Sequence, residues 1–488
     1  MLFNSFSYMV FLPLVTAVFF LLPHKFRWVC LLVFSYYFYM SWNPNLVILI
    51  LFTTVTSYLS AIIISRTSSR KIAKAAMITG VALSLACLFM FKYFNFFQGG
   101  VVSAMAAFGF SVQPITLNLL LPVGISFYTF QTLSYVIDVY KGNMKAETHF
   151  GLYALYVSFF PQLVAGPIER ATSLLPQFYK KQYFSTARLS DGLRQICIGM
   201  FKKVVIADFV AYYVNFVYND ITKFGGLSII LATVLFSIQI YCDFSGYSDI
   251  AIGSAKILGF DLIQNFKSPY FSKSIKEFWR RWHISLSTWF SDYVYIPLGG
   301  SRVKKSRHVF NLLITFILSG LWHGAEYKFI IWGMFHGILL ACESFYIMRL
   351  DTYVNGVSPF KRGVINAARM AITFTMVNIG WAIFRVNSIA DLAYIGKNIT
   401  RGLNPLKIFT YLESIGFTPL TMAMLICVIV ALIIYDWYEY YRGNPLQFIK
   451  NQKPMVRYAV YYVVALCGLI GLLSVPIGTS AGFIYFQF

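Results

Sequence analysis

The chain has 488 residues, 58% hydrophobic and 12% charged, with 40 Lys and Arg against 18 Asp and Glu for a formal net charge of +22. A soluble domain is about 25% charged, and a mean hydropathy of +0.66 excludes a soluble fold of this length in favour of a polytopic helical membrane protein. The positive excess belongs to cytoplasmic loops and anionic headgroups, not to nucleic acid, because most Phe and Tyr lie within apolar runs and there is no aromatic-basic recognition module.

Taken in order, the first apolar run (7–22) ends at His24-Lys25-Phe26-Arg27, and the second (29–41) at the uncharged Trp42-Asn43-Pro44-Asn45. The third (46–64) leads into Arg66, Arg70, Lys71 and Lys74, and the fourth (76–91) into Phe96-Phe97-Gln98-Gly99-Gly100. Basic and nearly neutral connections alternate, so the positive-inside rule puts the N-terminus outside and the basic loops in the cytoplasm. The opening residues lack a basic n-region and an A-x-A cleavage site, and the first run is expected to be retained as a membrane helix.

Residues 119–140 form the next expected span and contain Asp138. Residues 151–164 are apolar but short and are followed by Ala165-Gly166-Pro167-Ile168-Glu169-Arg170. Both flanks read as cytoplasmic, which suits a re-entrant segment covered by protein or by a wet cavity. Runs at 204–217 and 226–259 follow, then a basic, aromatic cytoplasmic stretch at 267–307, then an apolar tract at 310–342 interrupted only by Glu326-Tyr327-Lys328. Further spans are expected at 363–384, 419–437 and 458–473, and the uncharged tail from 476 to 488 puts the C-terminus outside. Seven scattered cysteines without a CxxC pair read as small buried hydrophobes, so neither a disulfide framework nor a metal site is expected.

Four stretches carry chemistry. In Ser319-Gly320-Leu321-Trp322-His323-Gly324, an imidazole sits in apolar surroundings, where a charged group costs about 2.5 kcal/mol or more. Gly320 and Gly324 permit close backbone approach or a broken helix. His336, in Trp332-Gly333-Met334-Phe335-His336-Gly337, is a second candidate or a packing partner. Over 277–289 the spacing predicts one amphipathic helix with Trp279, Trp282, Ser285 and Trp289 on a common face. That helix is either an interfacial anchor, or it brings Arg280 or Arg281 to donor phosphates while His283 lines the path. In Tyr241-Cys242-Asp243-Phe244-Ser245-Gly246-Tyr247-Ser248-Asp249, the two carboxylates are spaced too far apart for a simple dyad on a straight helix. They either pair with arginine or cap helix ends, or converge if Gly246 breaks the helix, in which case Asp243 could orient an imidazole. The tail Phe483-Ile484-Tyr485-Phe486-Gln487-Phe488 is either an aromatic belt or a tyrosine hydroxyl able to accept an acyl group.

Phe278-Trp279-Arg280-Arg281-Trp282-His283-Ile284-Ser285-Leu286-Ser287 together with Gly320-Leu321-Trp322-His323-Gly324 resembles the membrane-bound O-acyltransferase (MBOAT) family. Val123-Gly124-Ile125-Ser126-Phe127, Ala165-Gly166-Pro167 and Asp243-Phe244-Ser245-Gly246-Tyr247-Ser248-Asp249 narrow the resemblance to the bacterial alginate and peptidoglycan O-acetyltransferase branch. It implies an all-α polytopic fold of about 11–13 crossing helices, with re-entrant and interfacial helices around a central tunnel. It further implies that the chain is a single membrane domain over 1–488, comprising N-terminal helices (1–140), a catalytic core (141–345), C-terminal helices (346–455) and a final span with its tail (456–488). His323 then matches the catalytic histidine and His283 the second, more variable polar site. The tail is similar to the C-terminal motif of the small partner peptide of teichoic-acid D-alanylation systems, which implies Tyr485 as an acyl carrier.

The resulting expectation is an inner-membrane O-acetyltransferase. Acetyl-CoA serves as donor substrate and no cofactor is permanently bound. His323, His283 and Tyr485 are the catalytic residues, with Arg280, Arg281, Trp282, Ser285, Trp322, Asp243, Ser245 and Tyr247 around the substrate. An SGNH-type extracytoplasmic protein would receive the acetyl group and modify an exported or cell-wall polysaccharide. A transporter or flippase for a lipid-linked sugar is the alternative, with Asp138, Asp243 and Asp249 as coupling sites, but the paired broken helices of an inverted repeat are not visible. A secretion scaffold would leave the histidines without a purpose.

Overall fold

The computed structural model describes residues 1–117, 119–164 and 166–474, and among these every regular element is a helix. Hydrocarbon imposes this class, because a spanning segment must satisfy its own backbone hydrogen bonds. Six helices are long and apolar enough to cross a membrane by length and composition: Pro44–Arg66, Arg70–Ala107, Gly226–Ile257, Tyr327–Gly356, Pro359–Arg385 and Pro419–Arg442. Phe6–Leu21 and Pro454–Cys467 are shorter apolar helices. The protein is thus an all-α, multi-pass membrane protein. The chain forms two compact units, Met1–Ile196 with Tyr247–Ile263, and Cys197–Gly246 with Gln264 onward.

The first unit holds α1 (Phe6–Leu21), α2 (His24–Met40), α3 (Val47–Arg66), α4 (Arg70–Leu88), α5 (Phe94–Ala107) and α6 (Ile125–Lys141). It continues through α7 (Phe150–Ser158), α8 (Phe160–Leu163) and α9 (Ala171–Tyr179) into α10 (Thr186–Met200). The apolar run expected to span from residue 119 becomes helical only at Ile125, because Gly124 adopts φ 77° and ends the preceding extended chain. That conformation is open to glycine at little cost, and a Cβ there would lie 2.5 Å from the Leu163 carbonyl oxygen. The Val123–Phe127 motif therefore packs on the end of α8. Residues 152–164 are buried throughout, and the helix breaks at Phe159. At that break the Phe160 N–H donates to the Ser35 hydroxyl at 3.1 Å, so non-helical backbone is satisfied by protein, as a re-entrant segment requires.

The second unit holds α11 (Asp208–Tyr218), most of α12 (Gly226–Ile257), α13 (Ile275–Arg281), α14 (Ile284–Phe290), α15 (Lys305–His323), α16 (Tyr327–Gly356) and α17 (Pro359–Arg385). Beyond these lie α18 (Ile389–Asn398), α19 (Ile408–Ser414), α20 (Pro419–Arg442), α21 (Pro445–Lys450) and α22 (Pro454–Ser474). Its tightest crossing joins α15 to α16. Gly320 lies against the Phe329 carbonyl and Gly333 against the Phe316 carbonyl, with no room for a methyl group at either. Small residues at such a crossing let dispersion contacts between backbones replace the hydrophobic drive that lipid removes. Gly333→Ala is expected to cost about 1–3 kcal/mol through overpacking, read as a lowered thermal unfolding midpoint in detergent. Gly363→Ala, in α17 at a glycine with nothing within 4 Å of its added Cβ, should not lower that midpoint, since alanine is the better helix former.

Candidate active site

α15 ends at His323, and the chain leaves through Gly324 in an extended conformation, φ −167°. A side chain at Gly324 would strike the Phe329 ring, which explains the glycine without invoking a left-handed turn. The His323 imidazole is 6% exposed. Three rings from three helices stand edge-on to it: Trp322 at 5.0 Å, Trp332 at 5.1 Å and Phe384 at 5.3 Å between centroids. Such perpendicular arrangements suit the aromatic quadrupole and hold the imidazole plane in one orientation.

The helix expected over 277–289 is two helices. α13 stops at Arg281, and His283 adopts φ 44°, ψ 55° before α14 begins. With Ser268 it is one of two non-glycine residues with positive φ among the described residues. A non-glycine residue in that region costs about 1–2 kcal/mol, and such strain persists only where the surroundings enforce it. Here Asn265 enforces it: its backbone carbonyl accepts the Ile284 N–H at 3.0 Å, and its side-chain oxygen accepts the Ser285 hydroxyl at 2.7 Å. The Lys267 N–H donates to the Arg281 carbonyl at 3.0 Å, which pins the other side of the turn. At the start of α13 the buried Glu343 carboxylate of α16 accepts the Ile275 N–H at 2.7 Å and the Lys276 N–H at 3.2 Å, a favourable place for an anion.

The break removes the common face predicted for Trp279, Trp282, Ser285 and Trp289, yet all four side chains are buried. Trp282 packs among Phe266, Phe278 and Trp381, with centroids 5.0, 5.5 and 4.9 Å away. His283 is fully buried against Phe244 of α12 at 4.6 Å and Trp322 at 5.9 Å. One indole therefore contacts both imidazoles, His283 and His323. Burial pushes the His283 pKa down to about 3, so its ring is neutral at physiological pH. His336 lies beyond Trp332 at 4.9 Å, and its Nε2 would clash with any side chain at Gly380.

The two arginines differ. Arg281 donates from Nε to the Glu277 carboxylate at 2.9 Å and lies 4.4 Å over the Tyr440 ring, so it braces the fold. Arg280 is exposed and lines a cavity of about 380 Å³ with Trp279, Ile284, Ser287, Thr315 and Ser319. Ser319 is one helical turn before His323 on the same side of α15; the two histidines themselves are not among the lining residues.

The Asp243 carboxylate pairs with Lys203 at 2.6 Å, and Lys203 also reaches Asp208 at 2.8 Å, all three being nearly fully buried. Asp243 is thus ion-paired, but with a lysine in place of the expected arginine. That lysine lies in a π-helical turn, 201–207. Ser245 is buried in the same unit. Tyr247 and Asp249 belong to the first unit, where Tyr247 stacks on Phe3 at 4.5 Å and Asp249 accepts from Gln195 at 3.3 Å. Gly246 does not break α12, which is continuous from Gly226 to Ile257, so the two carboxylates do not converge through a kink there. Tyr485 lies outside the described residues. Sequence reasoning missed Lys203 and Asn265. The first was legible only as a lysine pair preceding an apolar run; the second carried no local signal.

A helical membrane protein whose tightest helix pair ends in a buried imidazole belongs to a class that the family comparison identifies. The model described as MBOAT, membrane-bound O-acyltransferase family, matches residues 148–380, which carry both His283 and His323. The chain belongs to this family and is an O-acyltransferase. It is 35% identical to a Pseudomonas putida protein named "Probable alginate O-acetylase AlgI", with 98% of each chain covered. It is also 31% identical to the "Peptidoglycan O-acetyltransferase" of Helicobacter pylori, over 93% of this chain and 90% of the relative. A "Teichoic acid D-alanyltransferase" of Bacillus subtilis is 32% identical over 47% of this chain and 60% of its own length.

Removing Lys203 would leave two buried carboxylates without their cation. Lys203→Met is expected to cost about 3–5 kcal/mol, and adding Asp243→Asn should recover part of it, both measured by unfolding in detergent. The folded His283 refuses a proton that the unfolded chain takes up between its ordinary pKa of 6.5 and about 3. Stability should therefore fall as pH drops through that window, and His283→Gln should flatten the decline.

Proposed function

We propose that the protein moves an acetyl group from cytoplasmic acetyl-CoA through a transmembrane tunnel to an extracytoplasmic SGNH-type partner, which O-acetylates an exported or cell-wall polysaccharide. The observation that carries this reading is the pairing of two buried imidazoles, His283 and His323, across a single indole, with His283 held in strained backbone. Similarity over nearly the full length to proteins named as alginate and peptidoglycan acetylating enzymes supports acetyl as the group and a polysaccharide as its destination.

His323 acts as general base. It takes the proton from an acceptor hydroxyl, whose oxygen attacks the thioester carbonyl; the carbon–sulfur bond breaks and the imidazolium returns the proton to the departing CoA thiolate. The Tyr485 hydroxyl is the proposed acceptor, forming an aryl ester that passes the acetyl group outward. Arg280, exposed beside the cavity and without an ion pair among the described residues, offers its planar fork to the donor phosphates. The neutral His283 supplies a hydrogen bond along the path. The N- and C-termini face outside and the basic loops the cytoplasm of a bacterial inner membrane.

With purified protein and radiolabelled acetyl-CoA, His323→Ala should lower acetyl transfer by about 10²–10⁴-fold while eluting as a folded protein on size exclusion. Undiminished transfer by that variant removes the base role. Tyr485→Phe should abolish ester release from the polymer, whereas wild-type release rules out an obligatory tyrosyl carrier.

A further inference from the structure

Within the first unit, three stretches far apart in sequence meet around a second cavity, of about 180 Å³. The start of α2 contributes His24, Lys25, Arg27 and Trp28; the start of α7 contributes His149; the end of α9 leads into Lys180. Each of these stretches lies in a connection that the positive-inside rule assigns to the cytoplasmic face. Their meeting in one place makes a cationic pocket where the sequence shows only scattered charge.

The positive charge is not neutralised from within. Arg27 is held by backbone carbonyls: its guanidinium donates to Leu22 at 3.0 Å, to Phe20 at 3.2 Å and to Gln182. No carboxylate pairs with it, or with Lys25 or Lys180, among the described residues. The neighbouring acid, Glu147, is buried and occupied, accepting the Tyr179 hydroxyl at 2.7 Å and the His149 N–H at 2.8 Å. The 17-residue α2 begins at His24 with no side-chain cap, which adds its positive end. His149 caps α7 by accepting the Leu152 N–H at its Nδ1, 3.1 Å away, which leaves Nε2–H as the ring's donor. Apart from Tyr179 and Gln182, the rest of the wall is apolar, including Leu31 and Trp28, whose ring meets the His149 ring at 4.7 Å.

Converging cations, ring N–H donors and an apolar floor at a cytoplasmic helix end suit an amphiphilic phosphate. We propose that this pocket binds the headgroup phosphate of an anionic membrane lipid, with Lys25 and Lys180 pairing the phosphate and the glycerol lying against Trp28 and Leu31. The cavity is too small for a whole lipid, so the acyl chains remain in the bilayer. Basic pockets between helices at this face commonly take such headgroups. The site is independent of the acetyl-transfer reading.

The test is native mass spectrometry of the full chain released from detergent after incubation with phosphatidylglycerol or phosphatidylcholine. A retained phosphatidylglycerol adduct is expected, with little phosphatidylcholine. Lys25→Glu with Lys180→Glu should lower that retention about tenfold, while Lys71→Glu, an exposed lysine on α4, should not. Equal retention of both lipids, an equal loss in the Lys71→Glu control, or no loss in the double variant overturns the proposal. So does displacement of phosphatidylglycerol by millimolar inorganic phosphate or by CoA, which would mark a free-anion site. Should the charge reversals fail to elute as folded protein, Lys25→Gln with Lys180→Gln carries the same test with a smaller expected loss.

Discussion

The second unit depends on how closely α15 approaches α16. With Gly320 seated on the Phe329 carbonyl and Gly333 on the Phe316 carbonyl, the two helices touch backbone to backbone. In lipid no hydrophobic force would draw them together, so contact area and dispersion must do so. The closeness has a structural consequence: it brings Trp332 of α16 edge-on to the His323 ring at the end of α15. A wider crossing would take Trp332 away from that imidazole.

The other histidine sits in a strained turn. His283 is held there by hydrogen bonds, through Asn265 on one side and the Lys267–Arg281 backbone pair on the other. Strain of this kind disappears in families of flexible loops and survives in over-determined ones. The two devices converge on Trp322, whose indole contacts both imidazoles. The buried Lys203 with its two aspartates steadies α11 and α12 behind Phe244, the residue against which His283 packs. Ionic and aromatic packing thus serve one end: two buried imidazoles held in place.

Much of this was legible from residue order. The all-helical membrane class followed from composition, because apolar runs of spanning length admit few other folds. The expectation that 151–164 is covered by protein followed from its shortness between basic flanks, and residues 152–164 are buried. His323 stood out because an imidazole in an apolar tract needs an explanation. The helix over 277–289 was misread because its apolar spacing is genuinely helical. The turn at His283 is imposed by Asn265, eighteen residues upstream and without any local mark. Asp243 left two readings open because a carboxylate in an apolar run declares that it needs a partner without saying which.

The sequence by itself determined the solvent the chain lives in, its all-helical class and the residue types able to do acyl chemistry, since these follow from local composition and periodicity. Tertiary structure alone decided which arginine is occupied and which is offered, that Lys203 answers Asp243, and that three distant basic stretches enclose one pocket. The reason is physical. Pairing, strain and enclosure are properties of side chains brought together from far along the chain, and a one-dimensional pattern records each partner without recording the meeting.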